Sequence, residues 1–125
     1  MKEAIYLDIS ETQTEPLIRF SNGTLEIKGK SIPTDSMIHY GKLIEVFYKY
    51  SHNPEKRTEI RIDLEYINSS SSRSLLNLLI IAEHIYKEGH EVSVTWFHDS
   101  SDPLMYEQAN VFKELLSLPF KIVAK

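Results

Sequence analysis

Thr58-Glu59-Ile60-Arg61-Ile62-Asp63-Leu64-Glu65-Tyr66-Ile67-Asn68-Ser69-Ser70-Ser71-Ser72-Arg73-Ser74-Leu75-Leu76 changes its hydrophobic period part-way along. Ile60, Ile62 and Leu64 alternate with Glu59, Arg61, Asp63 and Glu65, which predicts a strand with one apolar and one charged face. After the hydroxyl run, Leu75, Leu76, Leu79, Ile80, Ala82 and Ile85 recur at helical spacing. That stripe is broad enough to predict a helix packed against a sheet, closed by Lys87-Glu88-Gly89 with Gly89 as its C-terminal cap. The serines therefore lie at a junction of two regular elements, where amides and hydroxyls are held in place.

The same alternation continues outward. Downstream, Glu91 to Phe97 reads as a strand with Val92, Val94 and Trp96 on one face. Asp102 and Pro103 suit a helix start, and Tyr106, Ala109, Val111, Phe112, Leu115 and Leu116 supply the apolar side of that helix. Phe120 to Val123 follows as a short strand. Upstream, Ala4 to Ile9 is a strand candidate, and Leu17 to Phe20 and Thr24 to Lys28 flank Ser21-Asn22-Gly23, a hairpin-turn signature. Ser31-Ile32-Pro33-Thr34-Asp35 reads as a helix entry, followed by Ile38, Leu43, Ile44, Phe47 and Tyr50 on one face, with Tyr40 and Tyr48 as further packing groups. This order predicts one α/β domain over residues 1–125, a mixed β-sheet with crossover helices.

Composition sets the function classes aside in turn. A hydrophobic content of 42% supports a real core. With no cysteine, disulfides and thiolate-ligated zinc are excluded. A formal net charge of -4 offers no basic field for nucleic acid. Met1-Lys2-Glu3-Ala4-Ile5 does not resemble a secretion signal, and the most apolar stretch, Leu75 to Ala82, is far short of the roughly 20 residues a bilayer span needs. A cytoplasmic protein without membrane insertion is the expectation.

Local chemistry leaves the serine run open between two roles. Serine is an ordinary helix cap, and the run can be a solvated turn. A helix start also has unpaired amides and favours negative charge, so a phosphate on Ser69 fits there, with Arg73 as a nearby cation. A serine hydrolase is disfavoured because Gly-x-Ser-x-Gly is missing and no pattern marks His39, His52, His84, His90 or His98 as a base. Asp63, Glu65, Asp99 and Asp102 are placed to gather near strand ends, which keeps a small metal-assisted hydrolase as a minor alternative. Gly29-Lys30-Ser31 lacks the glycine spacing of a phosphate-binding loop, so no cofactor is expected.

The run Tyr66-Ile67-Asn68-Ser69-Ser70-Ser71-Ser72-Arg73 resembles the Tyr-x-Asn-[Thr/Ser]-Ser-Ser-Ser-[Lys/Arg] signature of the SiaC-like regulatory phosphoproteins. Gly29-Lys30-Ser31 with Pro33, the Trp96 strand, Asp102 and Leu118-Pro119-Phe120 follow in the matching order. The resemblance implies a STAS-like mixed sheet with flanking helices, similar to anti-sigma-factor antagonists. It implies a non-enzymatic role, with a cognate ATP-dependent protein kinase adding a phosphate and a PP2C-like phosphatase removing it. The effector it implies is a diguanylate cyclase released by phosphorylation, or alternatively an anti-sigma kinase in a partner-switching pathway. Carried over by position, the acceptor is Ser69, where the familiar acceptor of the family is threonine, with Ser70 and Ser71 as alternatives. Asn68, Ser70, Ser71, Ser72 and Arg73 are the expected partner-binding residues.

Overall fold

The computed structural model describes residues 6–31 and 36–125. The expected strand residues Ala4 and Ile5, and most of the expected helix entry, Ile32 to Asp35, lie outside the described residues. Among those described, the elements are β1 (Tyr6–Ile9), β2 (Leu17–Ser21), β3 (Thr24–Ser31), α1 (Ser36–Ser51), β4 (Arg57–Ile67), α2 (Ser69–Lys87), β5 (Glu91–His98), α3 (Pro103–Leu115) and β6 (Phe120–Ala124). The strands form one mixed sheet in sequence order, antiparallel from β1 to β3 and parallel from β3 to β6.

Asn22 and Gly23 both have positive φ, 50° and 83°, as the tight turn between β2 and β3 requires. Gly23 is fixed by more than its dihedral, because a Cβ there would lie 2.6 Å from the Arg57 carbonyl oxygen. Ser31 is a strand residue and not part of a helix entry. Its buried hydroxyl bonds the Tyr40 hydroxyl at 2.7 Å, tying β3 to α1.

Parallel neighbours in sequence order, joined by right-handed crossovers, put every connecting helix on the same face. The burial pattern agrees. Leu25, Ile27, Ile60, Ile62, Val94 and Trp96 are buried, as are Leu43 and Phe47 of α1, Leu75 and Leu79 of α2, and Ala109 and Phe112 of α3. The other face is polar. Asp8, Arg19, Glu26, Arg61, Thr95 and Lys121 form one continuous cross-strand row in which the first four alternate in charge. Such pairs stabilise a wet sheet face, and the Arg61 guanidinium also lies 5.3 Å from the centre of the Phe97 ring.

Several side chains expected in the core are not in it. Tyr48 is exposed on α1, Ile80 on α2, and Tyr106, Val111 and Leu115 on α3. Each of these helices touches the sheet along one stripe only, and the apolar residues outside that stripe face water.

Candidate functional site

The β4–α2 junction is shaped by one extra residue. Gly29 pairs with Leu64, but Lys30 pairs with Tyr66 and Ser31 with Ile67, so Glu65 is bulged out of the ladder. Strict alternation after Leu64 would turn Tyr66 into the core. The bulge reverses the faces: Tyr66 is 56% exposed and Ile67 is buried. Opposite the bulge, Gly29 has φ 120°, and a Cβ there would meet the Glu11 side chain at 2.8 Å.

The helix cap is Asn68, not a serine. Its side-chain oxygen accepts the Ser71 amide at 2.9 Å and the Ser70 hydroxyl at 3.3 Å. Its own amide donates to the Ser31 carbonyl at 2.9 Å, and its carbonyl accepts the Ser72 amide at 2.9 Å. The cap therefore welds the end of β3 to the start of α2. Ser69 and Ser70 fall in the first turn, where amides have no acceptor within the helix.

The expected site residues separate by exposure. Ser69, Ser70 and Arg73 face solvent and Asn68 is half-buried. Ser71 is fully buried, so its hydroxyl lies beneath the surface. Ser72 is half-buried with its hydroxyl oxygen inside, and neither the Ser71 nor the Ser72 hydroxyl finds a hydrogen-bond partner among the described residues. The residues expected to act together are thus split by the helical turn into an outward set and an inward one.

A groove of about 760 Å³ opens between this junction and α3. Glu65, Tyr66, Asn68, Ser69 and Ser72 line one wall, and Asp102, Leu104, Glu107, Gln108 and Val111 line the other. Asp102 caps α3 as expected, accepting the Met105 amide at 3.1 Å, with Pro103 in the first turn. Tyr66 and Leu104 were not among the expected partner residues. Tyr66 belongs to the signature, but only the bulge shows which way it points.

The four acidic residues do gather. Asp63, Glu65, Asp99 and Asp102 line one hollow with Lys125. Three of them are already engaged: Asp63 with the Lys125 ammonium at 2.6 Å, Asp102 as a cap, and Asp99 with the Ser101 hydroxyl at 2.7 Å and amide at 2.8 Å. The Ser101 hydroxyl and amide hold the Asp99 carboxyl below its ordinary pKa. Among the described residues no three His, Asp or Glu side chains converge in a way that could hold a metal ion. His98 is buried against Tyr106, and His84 lies 2.8 Å from Glu88, so neither stands beside the serine run as a base.

The family model described as "SiaC family regulatory phosphoprotein" matches residues 9–125. The chain belongs to the SiaC family. It is 30% identical over 120 residues to an uncharacterized protein of Pseudomonas aeruginosa, covering 94% of this chain and 95% of that one. Apo-SiaC from Pseudomonas aeruginosa superposes with a TM-score of 0.89 at 30% identity, over 95% of this chain and 98% of that chain. SiaC in the crystal structure of the diguanylate cyclase SiaD with its activator SiaC, from the same organism, gives a TM-score of 0.90 at 30% identity, over 95% and 99% of the two chains. The mixed α/β sheet is therefore that of the SiaC structures, and the chain is a regulatory phosphoprotein by family. Among the described residues no helix is long and apolar enough to cross a membrane.

Proposed function

We propose that this SiaC-family chain is a non-enzymatic cytoplasmic switch whose phosphate acceptor is Ser69. The Ser69 hydroxyl oxygen attacks the γ-phosphorus of ATP in a protein kinase. Its proton leaves to a base of the kinase, and the bond to ADP breaks. A PP2C-like phosphatase hydrolyses the ester and returns the hydroxyl and free phosphate. The unphosphorylated form binds and activates a diguanylate cyclase, and phosphorylation releases it.

The observation that carries this reading is the exposure of Ser69 in the first turn of α2, beside the buried Ser71. A phosphate there meets the orphan amides of the helix start and lies one turn from Arg73, an arrangement worth roughly 0.3–1 kcal/mol at an exposed helix end. The cyclase is supported by the relative, since that SiaC is described as the activator of SiaD.

Incubation with the kinase and ATP, followed by site-localised mass spectrometry, tests the acceptor. Ser69→Ala should lose the principal phosphate and Ser70→Ala should keep it. Persistence of that phosphate in Ser69→Ala overturns the assignment. A pull-down with unmodified and phosphorylated protein tests the effector: capture of an anti-sigma kinase alone overturns the cyclase reading in favour of an antagonist.

A further inference from the structure

β6 ends the sheet, and among the described residues no strand pairs with its outer side. The ladder to β5 fixes which of its backbone groups are left over. The Val94 amide donates to the Pro119 carbonyl at 2.9 Å, and the Lys125 amide donates to the His98 carbonyl at 2.9 Å. Bonding residues alternate along a parallel strand, so Pro119, Lys121, Val123 and Lys125 turn their backbone groups to β5. Phe120, Ile122 and Ala124 therefore turn their amides and carbonyls outward, as a template for one more strand.

The side chains along this edge select what can be added. On the open face of the sheet, the cross-strand row closes with Arg61, Thr95 and Lys121. The acids of that row, Asp8 and Glu26, lie on β1 and β3. Lys121 is exposed and forms no ion pair among the described residues. One register position on, half-buried Val123 sits beside half-buried Phe97, and Lys125 follows the strand. On the helix-covered face, half-buried Ile122 packs against the core. Two copies pairing antiparallel through this edge would centre on Ile122. Lys121 of each copy would then lie diagonal to Lys121 and Lys125 of the other, and such like charges oppose pairing.

We propose that β6 is a docking edge for an extended segment of another protein, acidic on one side and apolar on the other. The segment joins the sheet through the outward groups of Phe120, Ile122 and Ala124. Its acidic side meets Lys121 and continues the charge alternation of the open face, and its apolar side covers Ile122. No residue of β6 lines the groove beside Ser69, so this edge and the phosphate switch stand independently.

The test uses the isotope-labelled full chain and two synthetic probes. One is the blocked peptide Glu-Val-Glu-Val-Glu-Val-Glu, and the other carries lysine in place of each glutamate. Amide exchange is followed by NMR, whose spectrum also shows that each variant is folded. At saturation the acidic peptide should slow exchange of the Phe120, Ile122 and Ala124 amides about tenfold or more, and the basic peptide should not. Lys121→Glu should weaken binding of the acidic peptide about tenfold. Lys42→Glu, an equal change of charge at an exposed position on α1, should leave it unchanged. No slowing at those three amides, or equal slowing by both peptides, overturns the proposal. Slowing that grows with protein concentration before any peptide is added assigns the edge to a second copy and overturns the acidic partner.

Discussion

Asn68→Ala isolates the side-chain cap at the start of α2. The change removes the side-chain acceptor of the Ser71 amide at 2.9 Å and of the Ser70 hydroxyl at 3.3 Å. It leaves the backbone bonds of Asn68 to Ser31 and Ser72 available. Loss of such a cap typically costs about 1 kcal/mol and at most about 2. The upper half of that range applies here, because Ser71 is fully buried and water cannot readily replace the lost acceptor. For a domain of this size that is a fall in Tm of roughly 3–8 °C. Asn68→Asp keeps the acceptor and adds a negative charge at the helix start, so it should match wild type or gain about 0.3–1 kcal/mol. Urea unfolding of the three proteins at one pH measures both differences. Equal losses in Asn68→Ala and Asn68→Asp, or no loss in either, would refute the capping argument.

Three further outcomes follow from buried hydroxyls. Ser71→Ala deletes a hydroxyl with no partner among the described residues, so stability should hold or rise by up to about 1 kcal/mol, and the mass-spectrometric phosphate on Ser69 should be unchanged. Burial pushes the Tyr40 phenol up to about 12, outweighing its bond to Ser31. Below pH 10 this contribution is fully present. Above it the unfolded chain ionises first, so stability falls between about pH 10 and 12, by roughly 2–3 kcal/mol in total. Unfolding of wild type against Tyr40→Phe across that range should show the extra loss only in wild type. At neutral pH, Tyr40→Phe and Ser31→Ala should each cost about 1–3 kcal/mol by stranding the other hydroxyl, with the double variant costing less than the sum.

Much of the fold was legible because its periods are clean. Ile60, Ile62 and Leu64 against Arg61 and Asp63, and the Asn22-Gly23 turn, are short-range signals that the structure repeats. Asp102 was also readable as a cap, since Pro103 and the apolar spacing after it fit only a helix start. Ser31 was misplaced because a serine just ahead of Pro33 suits a helix cap, while pairing with β4 extends β3 through Ser31. Val111 and Leu115 were misjudged for a different reason. Their spacing suits a helix face, but Ala109 and Phe112 already fill the contact with the sheet.

By itself the sequence determined the order of strands and helices, the hairpin, and the position of a hydroxyl run at the start of α2. These rest on local dihedral preference and on hydrophobic period, which neighbouring residues dictate. Only the tertiary structure decided which hydroxyls meet solvent and what lies beside them. Pairing with β3 bulges out Glu65, turning Tyr66 outward and Ile67 inward. The Asn68 cap then sets the helical phase, so Ser69 faces the groove while Ser71 faces the core. A single unpaired residue in a strand, and the rotation of one helix about its axis, are set by long-range pairing and packing that no local period records.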